Sequence, residues 1–369
     1  MKFSCEKALL QNAISTASRA VSPKSTIPAL EGLLLEAGHL VSITGYNLET
    51  GIRTIVNAYV EEPGTIVLPA RLFGEIIRKF PDDVVVIETD NMNVRLSCGM
   101  SEFNLIGIDP DDFPDLPEVD YQNAFTLPQR TLRAMIGETL FAVSDNESRP
   151  IHTGSLFEVT TQHLTLVSVD GFRLAMRREE ITQSEGEFTF VVPGKALSEV
   201  EKICKETEED ATVNMGAKHA VFQVGETMLV SRRLEGEFLA WEKAIPKNNP
   251  IRITTSAKRL LQSIDRVSLI ITDKLKSPLR CEFGDSQVRL TTKTAMGDAL
   301  DTCEVEGDGK GLEIGFNNKY VMDALKVVPA DNVCIELSSG VAPCVISPAE
   351  DEEDNFIYMI LPVRLKAGE

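Results

Sequence analysis

The chain spells one string of elements three times, and this recurrence limits its fold more than any other feature. Phe3 to Ile14 reads FSCEKALLQNAI, Phe125 to Ile136 reads FTLPQRTLRAMI, and Ile253 to Ile264 reads ITTSAKRLLQSI. Each copy starts on an apolar residue and carries Leu at its eighth position (Leu10, Leu132, Leu260) and Ile at its twelfth (Ile14, Ile136, Ile264). That spacing predicts a short strand running into an amphipathic helix, with Ser or Thr near the N-cap. A later segment recurs as TIVLPARLFGEIIRKF (65–80), TFVVPGKALSEVEKI (189–203) and LEIGFNNKYVMDALKVV (312–328), with Pro69, Pro193 and Phe316 in register. In its first copy Leu72, Phe73, Ile76, Ile77 and Phe80 form one apolar helix face, opposite Arg71, Glu75, Arg78 and Lys79. A third echo sets LVSITGYNLETGIR, from Leu40, against LVSVDGFRLAMRRE, from Leu166, and aligns Gly45 with Gly171.

Alternating β-type runs punctuated by Gly, Asn and Asp fill the intervals, so each copy reads β-α-β-β-β twice. Polar, Pro-containing joints fall at DPDDFPDLPEVDYQN (109–123) and AIPKNNP (244–250). The expected fold class is α+β, as three similar domains over 1–122, 123–247 and 248–369. A period this long is domain triplication and not a solenoid repeat of roughly 20 to 50 residues.

No run approaches the roughly 18 apolar residues of a membrane-spanning helix, and MKFSCEKALLQNAIS lacks the apolar core of a signal peptide. The expectation is a cytoplasmic protein. Seven scattered cysteines, with no CxxC pair, read as reduced small hydrophobes. The net charge of −19, from 56 acidic and 37 basic residues, argues against nucleic acid only if it is spread evenly. A basic stripe can lie inside an acidic total.

Motifs for catalysis are missing. There is no GxxxxGK[ST], and Gly307-Asp-Gly-Lys-Gly311 lacks its spacing and reads as a turn. His39, His152, His163 and His219 never pair at metal-ligand spacing, and no GxSxG elbow occurs. The acidic runs at Asp109 to Asp112 and Glu350 to Asp354 lack the ligand spacing and turning Gly of a calcium loop. No metal, no cofactor and no catalysis are expected.

Taken together, MKF, Thr26-Ile-Pro-Ala-Leu-Glu-Gly-Leu-Leu-Leu, Leu68-Pro-Ala-Arg71, Phe141-Ala-Val-Ser with Arg149-Pro, Asp170-Gly-Phe-Arg-Leu-Ala175, Glu235-Gly-Glu-Phe238 and Leu361-Pro-Val-Arg-Leu365 make a specific ordered set. Over its whole length the chain resembles the bacterial beta sliding clamps, the beta subunits of DNA polymerase III. The resemblance implies a head-to-tail homodimer forming a six-domain ring, with inner helices, outer antiparallel sheets and duplex DNA through its hole. It implies a nucleoid-associated accessory subunit without catalysis of its own, which confers processivity on the replicative polymerase. Weak phosphate contacts then allow sliding, and the acidic excess lies outside.

By family position, the DNA-facing candidates are Lys24, Arg71, Arg149, Lys195 and Asn317. A groove for short linear motifs of the polymerase, clamp loader, repair polymerases or ligase would use Val169, Gly171, Phe172, Arg173, Leu174, Leu239, Lys243 and Ala244. Its other wall would be Tyr320, Pro343, Met359, Leu361, Pro362, Val363 and Arg364. Read from the residues alone, Leu174, Met359 and Leu361 are ordinary core and the cations are solvated surface. The family commonly has His at the position of Phe172, Pro at Leu239 and Tyr at Trp241, and many members end near Leu365 where this chain adds Lys366 to Glu369. Two other readings stand beside the clamp: a multidomain enzyme with dispersed site residues, and a protein scaffold ring that binds no DNA. The distribution of Lys and Arg over the repeated helices separates the clamp from the scaffold.

Overall fold

The computed structural model describes residues 1–272, 274–349 and 355–365, so the Glu350–Asp354 run and the Lys366–Glu369 tail lie outside the described residues. The chain divides into two compact units. One holds Met1–Leu132, Thr182–Gly186 and Glu199–Arg233; the other holds Arg133–Ile181, Glu187–Ser198 and Leu234–Glu369. The helices are α1 (Lys7–Ala17), α2 (Ala70–Lys79), α3 (Gln129–Thr139), α4 (Gly194–Ile203), the single-turn α5 (Trp241–Ala244), α6 (Ala257–Ser268) and α7 (Asn318–Val327).

All paired strands are antiparallel, which suits short sheet-forming runs joined by tight turns. The first unit carries a five-stranded sheet that ends in Ser101–Ile106. It also carries a nine-stranded sheet in which Thr227–Arg232 pairs with Thr50–Val56. The second unit carries a ten-stranded sheet in which Arg173–Glu180 pairs with Phe356–Ile360. Those two pairings make each junction between repeats a continuous sheet.

Alternation of apolar and polar residues sets which face is buried. Leu10, Leu132, Leu260, Ile14, Ile136 and Ile264 are all buried, as the sequence period requires. On α2, Phe73, Ile76 and Ile77 are buried and Phe80 follows them, but Leu72 is 46% exposed, so the apolar face is narrower than expected. Ser256 holds the N-cap position of α6, as expected, whereas Glu6 holds that of α1, and neither makes a side-chain capping bond. A carbonyl outside each helix serves instead. The first-turn amides of Lys7, Gln129 and Ala257 donate to Asp83 O (3.2 Å), Glu209 O (2.9 Å) and Asp331 O (2.9 Å).

The third repeat departs from the other two. Its strands fuse into a long hairpin, Leu279–Thr294 with Gly297–Phe316, whose register shifts at Phe283/Asp285 and Asp285/Gln287. The Gly307–Gly311 segment is therefore a kink within a strand rather than a turn, with positive φ at Gly307, Lys310 and Gly311.

The echo first aligned on Gly45 and Gly171 slips by three residues. Gly45 sits inside the strand Val41–Tyr46, where a Cβ would meet Ala17 O at 2.1 Å. Gly171 occupies a turn at φ +92°, and its counterpart is Leu48 at φ +74°. In both turns the preceding side chain makes the same two bonds: Asn47 Oδ1 accepts from Glu49 N and Thr50 N, and Asp170 Oδ1 accepts from Phe172 N and Arg173 N.

Candidate docking groove and nucleic-acid interface

The groove candidates come together in the second unit. Pairing of Arg173–Glu180 with Phe356–Ile360 sets Leu174 opposite Met359, and Val169 pairs with Leu174 across the preceding hairpin. Val169, Leu174 and Met359 join one buried cluster with Leu156, Val345 and Trp241, and Ala244 packs on its edge. Leu174 and Met359 are core, as the residues alone suggested, and burial of each contributes about 1.5–3 kcal/mol, whereas Leu361, read as core with them, is only half-buried. The rim is apolar and open: Phe172 is 58% exposed, Leu239 44% and Val363 40%. Tyr320, Pro343, Leu361 and Pro362 are half-buried, while Gly171, Lys243 and Arg364 are exposed.

Two backbone bonds fix the last described strand against this rim. Leu361 N donates to Phe172 O, and Val363 N to Gly315 O, both at 2.8 Å. Trp241 Nε1 donates to Glu158 Oε2 at 3.1 Å, which orients the indole. His152 stands edge-on to Phe238 with ring centroids 5.6 Å apart, and burial, then Arg149, lowers its pKa and favours the uncharged ring.

Arg173 organises the polar side. Its Nε donates to Asp170 Oδ2 at 2.9 Å and its Nη1 to Asp323 Oδ2 at 2.7 Å. The guanidinium lies 4.5 Å from the Tyr320 ring centroid and 5.4 Å from that of Phe141. Tyr320 in turn stacks with Phe172, centroids 6.1 Å apart. Burial, then the Asp170 charge, raises the Tyr320 pKa, so its hydroxyl stays protonated. Phe141, Asp170 and Asp323 were not among the sequence candidates. The Asp170-Gly turn was the available signal for Asp170, whereas Asp323 and Phe141 reach Arg173 only through the tertiary fold.

The DNA-facing candidates stand on separate elements. Lys24 lies in an exposed loop, Arg71 on α2 with its side chain 93% exposed and 3.3 Å from Glu75, Arg149 in an exposed loop and Lys195 on exposed α4 surface. Asn317 is half-buried, and its Oδ1 accepts from Lys319 N at 3.1 Å, so it caps α7. Helix phase points to a residue the sequence alignment passed over. The buried residues Phe73, Leu197 and Val321 recur every 124 positions, which sets the exposed Lys319, not Asn317, level with Arg71 and Lys195. The extra residue after Phe316 is the helix cap itself.

Charge is segregated by element. The six longer helices carry thirteen Lys and Arg against six Asp and Glu, in a chain whose total is 37 against 56. Such a surface holds a polyanion without base contacts. Among the described residues no group of three or more His, Cys, Asp or Glu could hold a metal ion. All seven cysteines are free and buried. Among the described residues no helix is long and apolar enough to cross a membrane.

Family comparison agrees along the chain. Models of the DNA polymerase III beta subunit match its N-terminal domain at residues 1–117, its central domain at 126–239 and its C-terminal domain at 242–364. The beta sliding clamp of Halalkalibacterium halodurans is 33% identical over 380 residues, covering 99% of this chain and 100% of that one. Among solved structures, a DNA polymerase III beta subunit from Eubacterium rectale superposes with a TM-score of 0.93 at 35% identity, over 99% of this chain and 100% of the other. A sliding clamp from Pseudomonas aeruginosa bound to griselimycin gives a TM-score of 0.93 at 27% identity, with the same coverage.

Proposed function

Because this chain belongs to the DNA polymerase III beta subunit family of sliding clamps, we propose that two copies close head to tail around duplex DNA and tether replication proteins to it. The chain is a DNA sliding clamp and an accessory to the polymerase. The observation that carries the DNA reading is the charge segregation, thirteen bases against six acids on the helices of a chain with net charge −19. A scaffold ring without DNA has no use for it. The cations contact phosphate, are indifferent to sequence, and are few enough per turn of duplex to permit sliding. Arg71, Lys195 and Lys319 are the repeat-related set; Lys24 and Arg149 add loop contacts.

Sheet edges support the dimer. Among the described residues, six strands end a sheet. Two of them, Tyr59–Glu62 and Gln183–Ser184, are short, and two, Gly64–Pro69 and Phe188–Pro193, are partly covered by the bridges Val67–Ile108 and Val191–Leu234. The long uncovered edges are Ser101–Ile106, in the first repeat, and Leu279–Thr294, in the third. Each presents unpaired backbone groups, and pairing one with the other between two copies satisfies both while closing the assembly.

The groove over Leu174 and Met359, rimmed by Phe172, Leu239 and Val363, takes the apolar anchors of short linear motifs from the polymerase, the clamp loader and repair proteins. Griselimycin, to which the Pseudomonas aeruginosa clamp is bound, is the small-molecule probe we propose for this groove. The experiment that tests the clamp is retention on DNA. Protein loaded by its clamp loader and ATP onto nicked circular plasmid, then filtered in high salt, stays bound, and it leaves when the plasmid is linearised. Equal retention on circular and linear DNA overturns encirclement.

A further inference from the structure

The second junction between repeats holds a buried charge cluster that the first does without. Thr54 and Arg177 are counterparts, each six residues beyond the positive-φ position of its turn, Leu48 and Gly171. Across the junction Thr54 pairs with Thr227, and Arg177 with Phe356. At the first junction the Thr54 and Thr227 hydroxyls share a hydrogen bond of 2.9 Å, and the site is neutral. At the second, buried Arg177 places Nε 2.7 Å from Glu138 Oε2 on α3, pairs with Glu179 and donates from Nη1 to Asn355 O at 3.0 Å. Glu138 stands two residues after the repeated Ile, where the other copies have Thr16 and Arg266. The fold therefore does not demand a buried carboxyl here, and burying one is costly.

The cluster is also incompletely bonded. Glu138 Oε2 and Arg177 Nε are close but poorly aligned, and neither makes a hydrogen bond. Tyr358 is fully buried, and among the described residues its hydroxyl has no partner. From Tyr358 a continuous run of contacts leads to the groove. Its ring stands edge-on to Phe141 with centroids 5.3 Å apart, and Phe141 lies beneath the Arg173 guanidinium, which covers Tyr320, which stacks with Phe172. The residue after Tyr358 is Met359, opposite Leu174 in the buried cluster under the groove.

We infer that Glu138 is a positioning residue for the docking groove: gain or loss of its proton is relayed through Tyr358, Phe141 and Arg173 to the Tyr320–Phe172 rim. Ionised Glu138 sets two carboxylates against one guanidinium, and the free Tyr358 hydroxyl is the donor at hand to stabilise it. Taking up that bond draws the Tyr358 ring away from Phe141 and loosens the stack above. The groups facing Glu138 are Arg177 and Glu179 from the strand Arg173–Glu180 and Tyr358 from the strand Phe356–Ile360. Burial pushes the Glu138 carboxyl up to about 7; Arg177 opposes the shift and Glu179 adds to it. A carboxyl raised in this way stabilises the fold while protonated, and that contribution is lost as pH rises through about 7. The groove is thus firmest below neutrality. The inference rests on the docking-groove reading of this junction.

Trp241, the single tryptophan, is buried with Leu174 and Met359 and reports on the groove without any ligand. Its emission in the full-length protein is expected to step near pH 7, and Glu138→Gln, fixed in the uncharged form, to remove the step. Tyr358→Phe, which deletes the relaying hydroxyl and keeps the ring, is expected to remove it too, and carries the test should Glu138→Gln fail to fold by circular dichroism. Glu158, on the indole, and His152, beside Phe238, are intact in both variants and cannot account for a step that these remove. Griselimycin is expected to bind wild type about 5-fold more weakly above this step than below it, and Glu138→Gln equally at both. Wild-type emission that stays constant from about pH 6 to about 8.5, or a step that survives in either folded variant, overturns the inference. Griselimycin that binds at no pH would sink the groove reading instead, and the Trp241 step would still decide the relay.

Discussion

Single residues decide what the groove can hold. Leu174 and Met359 were legible as apolar positions of β-type runs, and the residues alone assigned them to core, which is where they sit. What periodicity could not supply is the cross-strand register that sets them opposite each other, or the stack of Phe172 on Tyr320 on Arg173, which joins a turn to a helix about 150 residues away. Phe172 is exposed and apolar, so its ring is free to cover a ligand's apolar side chain. Phe172→Ala removes that face without touching the buried cluster and is expected to weaken griselimycin binding about 2- to 12-fold, since an aromatic contact contributes roughly 0.5–1.5 kcal/mol. Arg173→Ala is expected to cost more, because it leaves Asp170 and Asp323 beside each other without their shared cation. Isothermal titration measures both. Wild-type affinity in Phe172→Ala would remove this rim from the groove.

Elements carry the proposed DNA contacts, and here the sequence was informative about phase but not about ends. The Leu and Ile period placed the helices correctly and Ser256 stands at the N-cap of α6 as expected, but the first-turn amides of Lys7, Gln129 and Ala257 are met by the carbonyls of Asp83, Glu209 and Asp331 across the fold. Alignment by Phe316 matched the strands, since Leu279 pairs with Phe316 as Gly32 pairs with Pro69 and Gly154 with Pro193. It leaves the helix one residue out of phase, and helix phase sets Lys319 rather than Asn317 level with Arg71 and Lys195. Lys319→Glu tests which of the two contacts DNA. Binding of short linear duplex, followed by fluorescence anisotropy across a salt series, is expected to lose about one unit of slope in log affinity against log salt per phosphate contact removed. Arg71→Glu and Lys195→Glu are expected to act alike, and the triple reversal to add them. A slope unchanged by Lys319→Glu but lowered by Arg71→Glu would return the third contact to Asn317 or to none.

At the scale of the whole molecule, three domains and their Pro-rich joints were visible as a period, but the open edges that a partner copy would use were not. An edge is defined by what fails to pair with it, and that is a property of the finished sheet. Ser101–Ile106 is such an edge: every residue in it is exposed or half-buried, and Phe103 and Ile106 are 42% and 71% exposed. An apolar edge of this kind is an aggregation hazard in a lone chain and an asset only where a second copy covers it. Changing Ile106 to Lys places a charge on the strand without altering the buried cluster beneath, where Val94 and Leu96 remain packed. The variant is therefore expected to keep its far-ultraviolet spectrum and sediment as a monomer at concentrations where the wild type is a dimer. It is also expected to leave circular DNA as fast as linear DNA, because an unclosed assembly cannot hold a duplex by topology. A folded Ile106→Lys protein that remains dimeric would move the closing contact away from this strand.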